Sequence, residues 1–246
     1  MAITRIHLLK VPIDILLPEN LEKEILDLLK KPGTKQIIFL SVWDLLKARR
    51  KDKFGECVRN ADLVLPISKS LIKGASFLKL SVPVRYNPFT AIISFLSVLD
   101  SQYKSLYLFG SRKKILVQAE KNVHATFPNI QIRGRYVGYY PKTVENDIIS
   151  AIYKATPSMV LVSDGVPEKN IWAFNRRNRF SSSTFVYYKE ILNIFAKRTK
   201  RISEKTFEKG LEIWPEIFHN PLKIFYILPY MRYKVLLLWY KISKTK

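Results

Sequence analysis

The sequence holds one cysteine, Cys57, in 246 residues. A single thiol excludes an intramolecular disulfide and any four-cysteine metal site, and it suits a reducing, cytoplasmic setting. Histidine is nearly as scarce. His7, His124 and His219 lie far apart, which gives no support to a zinc or hydrolase-triad mechanism. His124, toward the end of a helical stretch, suits a surface or capping position better than a base. The first residues, MAITRIHLLKVPIDILL, form no continuous apolar segment because Arg5, His7, Lys10, Pro12 and Asp14 interrupt them, so nothing here predicts export. Also missing are a G-x-x-x-x-G-K-[ST] phosphate loop, G-x-G-x-x-G, H-E-x-x-H, and a pair of aspartates one residue apart that would hold a nucleotide-sugar metal. Acidic residues are few: 20 Asp+Glu against 42 Lys+Arg, a formal net charge of +22. Apart from a merely lysine-rich composition, this excess suits nucleic acid, an acidic membrane surface or a diphosphate-bearing substrate. Nucleic acid ranks last of the three, for want of any recognisable binding module.

Enough apolar residue remains for a full core, with 48% hydrophobic and 13% aromatic residues. The chain is organised around residues 105–140. Leu106 to Phe109 is an apolar run that stops at Gly110, Ser111 can cap a helix, and Ile115, Ala119 and Val123 recur at a spacing of four before Pro128. Ile130 and Ile132 then alternate with polar residues, and Val137-Gly138-Tyr139-Tyr140 ends a second strand at a glycine loop. A strand, helix, strand unit of this kind places both loops on the carboxyl edge of a parallel sheet, where open α/β proteins bind ligands.

The flanking sequence repeats the alternation. Strands are predicted at Ile3–Leu9, Gln36–Val42, Asp62–Pro66, Ser158–Ser163 and Ser183–Tyr188. Helices are predicted from Pro18 to Leu29, from Trp43 to Asn60 with an interruption near Gly55, from Ile67 to Leu78, from Thr90 to Leu99, from a Thr143 cap to Ala155, and from Glu168 to Arg179. The expected fold is α/β: a Rossmann-like, doubly wound, mostly parallel sheet spanning 1–196. Beyond it, 197–246 forms a helical, basic and aromatic C-terminal appendage. Lys197, Arg198, Lys200 and Arg201 open it, and Phe225, Tyr226, Tyr230, Tyr233, Trp239 and Tyr240 then interleave with Lys223, Arg232, Lys234, Lys241, Lys244 and Lys246. No apolar run there approaches the ~20 residues that cross a bilayer. The pattern suits either a helix lying in a membrane interface with cations at lipid phosphates, or a helical pair packed on the core.

Several stretches together resemble one family. Leu108-Phe109-Gly110, Gly138-Tyr139-Tyr140, and Val162-Ser163-Asp164-Gly165-Val166-Pro167 followed by Ile171-Trp172 look like the core of the WecG/TagA/CpsF glycosyltransferases. The family's last motif reads approximately V-G-x-G-x-P-x-Q-E-x-W. The resemblance extends to Ala61-Asp62-Leu63-Val64-Leu65-Pro66, Pro83-Val84-Arg85, Lys200-Arg201, Gly210-Leu211-Glu212 and Asn220-Pro221, in order and over nearly the whole chain.

That resemblance implies a peripheral enzyme of the cytoplasmic membrane face. Such an enzyme moves an N-acetylhexosamine from a UDP-sugar to a polyprenyl-diphosphate-linked acceptor in cell-surface polysaccharide synthesis, with no metal or other cofactor. The nucleotide-sugar end of its site would use Gly110, Gly138, Tyr139, Gly165, Lys169, Arg85 and Arg201. The departures are specific. Pro66-Ile67-Ser68 stands where the family has a proline, an aspartate and a glycine, and that aspartate is the family's likely general base; Leu40 and Val42 stand near its threonine and asparagine, and Lys169-Asn170 replaces its Q-E pair. Ile67 accepts no proton, so a transferase would take its base from Asp164, Asp44 or another nearby group. The alternative is a non-catalytic relative that binds a nucleotide-sugar, a lipid-linked glycan or a partner enzyme at the membrane. Three further choices stay open: the glycines either ease turns or admit ligand, Asp164 either caps the next helix or meets the sugar, and Arg85 and Trp172 either bind or pack.

Overall fold

A computed structural model describes residues 3–209 and 227–244. Gly210-Leu211-Glu212, His219, Asn220-Pro221, Lys223, Phe225, Tyr226 and Lys246 lie outside the described residues. An antiparallel hairpin of β1 (Thr4–Leu8) and β2 (Val11–Ile15) comes first, followed by α1 (Leu21–Lys30), β3 (Lys35–Leu40), α2 (Val42–Ala48), α3 (Lys53–Arg59), β4 (Leu63–Pro66) and α4 (Lys69–Phe77). Then come α5 (Pro88–Ser101), β5 (Ser105–Phe109), α6 (Lys113–Thr126), β6 (Gln131–Tyr136), α7 (Glu145–Ala155), β7 (Met159–Val162), α8 (Asn170–Asn175), β8 (Thr184–Tyr187) and α9 (Ile191–Phe195). Helices α10 (Glu204–Lys209) and α11 (Ile227–Lys244) close the described chain.

Strands β3 to β8 make a six-stranded parallel sheet in the order β4-β3-β8-β7-β5-β6, flanked by helices in a Rossmann-like arrangement. The expected fold class is therefore present. Strands β3, β4, β5 and β7 are buried at every position, as parallel strands covered on both faces must be, whereas the edge strand β6 is nowhere fully buried. The described residues divide into two compact units. One takes the chain up to Leu17, Phe39–Asn87 and from Ile202 onward; the other takes Pro18–Ile38 and Pro88–Arg201.

In the first unit the hairpin turns at Leu9 and Lys10, both at positive φ, as the two-residue turns that match strand twist require. Strand β2 was not expected, because Pro12 and Asp14 read as interruptions. Pro12 is tolerated in a two-stranded hairpin, and Asp14 is buried but fully partnered. Arg5 donates to the two Asp14 oxygens from Nε at 2.6 Å and from Nη2 at 2.8 Å, and the Val64 N–H donates to Oδ2 at 2.6 Å. The helix predicted from Trp43 to Asn60 is two helices, and the break falls at residues 49–52 rather than at Gly55. Asp52 caps α3 by accepting from the Gly55 N–H at 2.9 Å. Gly55 lies inside α3 because a Cβ there would sit 2.2 Å from the Arg50 carbonyl oxygen.

In the second unit, Tyr107, Phe109, Val160, Val162 and Phe185 from the sheet meet Ile148, Ile149 and Ile152 of α7 and Trp172 of α8 in one buried cluster. Trp172 is fully buried, with its ring 4.9 Å from Phe109. Its packing alone would stabilise the unit by about 1.5–3 kcal/mol. Two predicted caps are differently placed: Arg112 and Val144 are the N-caps of α6 and α7, and neither Ser111 nor Thr143 fills that position. The helix expected over Glu168–Arg179 shortens to α8 with a 3-10 turn at Arg177–Arg179, after Glu168 and Lys169 at positive φ.

Candidate active site

Because β7, β5 and β6 are neighbours and parallel, the loops that follow them leave the same carboxyl edge side by side. Backbone bonds interlock them. Gly110 N–H donates to Tyr136 O at 2.9 Å, Ser111 N–H to Asp164 O at 2.7 Å, Gly138 N–H to Ser111 O at 2.8 Å, and Tyr139 N–H to Gly165 O at 2.7 Å. The three glycines of the sequence motifs are thus brought together, and their missing side chains are what allows the loops to touch. A Cβ on Gly138 would lie 2.7 Å from the Asp164 carbonyl oxygen, and one on Gly165, at φ +79°, would lie 2.5 Å from the Tyr139 ring. Gly138→Ala is expected to destabilise the protein by about 1–3 kcal/mol, because the obstacle is backbone rather than a side chain that can swing away. A lowered thermal midpoint would register that loss.

Asp164 sits at the centre of this junction and caps no helix, since α8 begins at a Lys169 N-cap without a side-chain bond. Its Oδ2 accepts from the Tyr139 hydroxyl at 2.9 Å and its Oδ1 from Asn193 Nδ2 at 3.4 Å, while the Ser163 hydroxyl, 3.1 Å from Oδ1, lies closer to the Lys189 carbonyl oxygen, its acceptor at 2.7 Å. Tyr139 is 62% exposed, so the phenol stands over the edge rather than inside the fold. The bond to Asp164 holds that phenol above its ordinary pKa, with smaller contributions from burial and from the Asp164 charge. Arg112 lies 5.9 Å above the Tyr139 ring. A second carboxylate, Glu145, is already neutralised: it accepts from the Trp172 indole N–H at 3.0 Å and from Arg176 Nη2 at 2.9 Å, and burial pushes the neighbouring Tyr140 phenol up.

Sequence reasoning missed the start of α6. Ser111, at φ +57°, is fully buried, and its hydroxyl has no hydrogen-bond partner among the described residues. The next three residues, Arg112, Lys113 and Lys114, are exposed at a helix N-terminus with no acid in its first turn. Cations are unfavourable there unless an anion offsets them. The signal was legible as Phe109-Gly110-Ser111-Arg112-Lys113-Lys114, a strand end followed by three cations, but only the serine had been read, as a cap.

Of the remaining predicted residues, Lys169 and Arg201 share the unit of the glycine loops. Lys169 is exposed at φ +52°, and Arg201 lies 5.9 Å over the Phe89 ring. Arg85 and Asp44 belong to the other unit. Arg85 donates from Nε to the Ile67 carbonyl at 2.8 Å and from Nη1 to the Phe207 carbonyl, and stacks 3.7 Å over the Phe207 ring. Asp44 closes a capping box with Ser41, accepting from its N–H at 3.1 Å and from its hydroxyl at 2.5 Å. Ile67 is half-buried and donates its N–H to Leu40 O at 3.0 Å.

Helix α11 has two opposed faces. Tyr233 and Leu237 are buried, and the Tyr233 hydroxyl donates to Ser70 O at 3.0 Å. On the other side Leu228, Met231, Val235, Leu238, Trp239 and Ile242 recur at helical spacing and are each more than half exposed. Arg232, Lys234 and Lys241 flank this stripe, and the Arg49 guanidinium nearby is held below its ordinary range by burial and then by the Arg232 charge. Among the described residues no helix is long and apolar enough to cross a membrane.

An open parallel sheet with interlocked glycine loops and a cationic helix start on its carboxyl edge has a Rossmann-like α/β architecture, in which ligands bind outside the carboxyl ends of the strands. The chain belongs to the glycosyl transferase WecG/TagA/CpsF family, whose family model matches residues 6–246. Two curated relatives, from Bacillus spizizenii (strain ATCC 23059 / NRRL B-14472 / W23) and Bacillus subtilis (strain 168), are each named N-acetylglucosaminyldiphosphoundecaprenol N-acetyl-beta-D-mannosaminyltransferase. The first is 22% identical over 177 residues, 72% of this chain and 68% of its own length. The second is 21% identical over 172 residues, 70% of this chain and 66% of its own length.

Proposed function

We propose that the chain transfers an N-acetylhexosamine from a UDP-sugar to a polyprenyl-diphosphate-linked acceptor while lying on an anionic membrane surface. The observation that carries this reading is the junction of the loops after β5, β6 and β7. A buried Ser111 hydroxyl with no hydrogen-bond partner among the described residues and three exposed cations at the start of α6 stand there beside a half-buried carboxylate, Asp164. The names of the two relatives supply the acceptor class, a diphosphoundecaprenol, and the sugar class, an N-acetylmannosamine.

In the step this arrangement suits, an acceptor hydroxyl oxygen bonds to the anomeric carbon as the bond from that carbon to the donor's β-phosphate oxygen breaks. The electron pair leaves with UDP. The hydroxyl proton passes to the Asp164 carboxylate, which Tyr139 and Asn193 orient. Arg112, Lys113 and the α6 N-terminus meet the charge that grows on the departing diphosphate, so the reaction needs no metal. Lys169 and Arg201 are cations of the same unit and complete the donor end of the site. The apolar stripe of α11, with lysines and arginine at its margins, lies in the interface of the membrane's inner leaflet and makes the enzyme peripheral.

Purified protein given a panel of UDP-N-acetylhexosamines and a polyprenyl-diphosphate-linked N-acetylglucosamine is expected to release UDP only when the acceptor is present. Absence of both UDP and glycosylated lipid across the panel would remove the transferase reading and leave a non-catalytic relative.

A further inference from the structure

We infer that the groove between α4 and α11 binds one anionic phospholipid drawn from the membrane on which the chain lies, its phosphate between Lys73 and Lys234 and an acyl chain along Phe77, Leu237 and Leu238. This inference rests on the membrane part of the proposed function and adds a defined lipid site to it. The groove holds about 340 Å³, within the range of small-molecule sites. Ser70, Lys73 and Phe77 of α4 form one wall, and Lys234, Leu237 and Leu238 of α11 form the other.

The floor is built rather than accidental. A Cβ on Gly74 would fall 1.9 Å from the Tyr233 hydroxyl oxygen, so glycine is what lets that hydroxyl reach Ser70 O and draws the two helices together. Leu238 belongs both to the groove wall and to the exposed stripe of α11. With the stripe in the interface, the groove therefore opens toward acyl chains instead of toward water. Its two ends differ in chemistry. Phe77, whose ring carries the Lys241 ammonium 4.1 Å from its centroid, offers hydrocarbon together with Leu237 and Leu238, whereas Lys73 and Lys234 are exposed and among the described residues meet no carboxylate, Lys234 lying 5.0 Å from the Tyr230 ring centroid. A ligand with a hydrocarbon tail and one terminal anion satisfies both ends. A nucleotide would leave the hydrocarbon wall against polar atoms, and an uncharged lipid would leave both ammonium groups unmatched.

The test uses the full chain with vesicles of phosphatidylcholine and phosphatidylglycerol, the latter carrying a photoreactive diazirine near the end of one acyl chain. Adducts are expected on α4, at Ser70 to Phe77, as well as on the outer stripe. Lys73→Gln and Lys234→Gln should each lower the α4 adducts about fivefold relative to those on Val235 and Ile242, the worth of one cation near an anionic surface. Adducts confined to the stripe would overturn the groove site and leave the membrane reading standing. No adducts and no flotation with these vesicles would overturn both. Loss of the α4 adducts to added polyprenyl diphosphate, but not to excess unlabelled phosphatidylglycerol, would assign the groove to the isoprenoid of an acceptor and overturn the phospholipid site.

Discussion

Replacing Asp14 with alanine is expected to destabilise the fold by about 3–5 kcal/mol, the usual cost of stranding one partner of a buried ion pair. The carboxylate is 1% exposed and holds three donors: two from the Arg5 guanidinium and the backbone N–H of Val64. Removing it leaves the Arg5 charge half-buried and the Val64 N–H, at the start of the second residue of β4, without its acceptor. The loss is large beside the 5–15 kcal/mol by which domains of this kind are stable. Urea unfolding followed by circular dichroism would show the midpoint fall, and a shift corresponding to less than about 1 kcal/mol would mean the pair contributes no more than an exposed salt bridge. Arg5→Ala should cost at least as much, because it strands the Asp14 carboxylate, 1% exposed, with the Val64 N–H as its remaining donor.

Asp164→Asn is expected to lower transferase turnover about 10²- to 10⁴-fold while leaving stability nearly unchanged, as the loss of a general base does. Asparagine keeps the size of the side chain and one oxygen for the Tyr139 hydroxyl, so the loop junction stays closed. Asp44→Asn separates the two candidate bases. Asp44 serves the capping box of α2, so its replacement should cost about 1 kcal/mol of stability with little change in turnover. Steady-state kinetics and thermal melts on the two variants decide the matter. If Asp44→Asn loses turnover and Asp164→Asn does not, the base lies on α2 instead.

Most of the sheet was legible because its strands carry short apolar runs bounded by Gly, Pro or Ser: Leu106 to Phe109, Met159 to Val162 and Leu63 to Pro66 are apolar enough to be nothing else. Strand β2 was not, since Pro12 and Asp14 break that pattern and only the distant Arg5 and Val64 make a buried Asp14 tolerable. Gly55 misled in the opposite way, marking crowding by the Arg50 carbonyl rather than a helix break. At the site, the glycines announced the strand ends but not their reason, because the chain that occupies each missing Cβ comes from another loop, as Asp164 does for Gly138. The partners of Asp164 lie 25 and 29 residues away at Tyr139 and Asn193, beyond the reach of any local pattern. The basic triplet after Ser111 was visible, yet its meaning depends on the serine being sealed in with no partner among the described residues.

The two opposed faces of α11 set a rotational constraint on the end of the chain. Each added residue turns everything after it by about 100°. One insertion beyond Tyr233 would swing Leu237 off α4 and carry part of the solvent-side ridge of Val235, Leu238 and Ile242 toward the protein. Two insertions would bring the faces near to trading places, and only three or four would restore the phase. Evolution can therefore lengthen this terminal rod by whole turns more readily than by single residues.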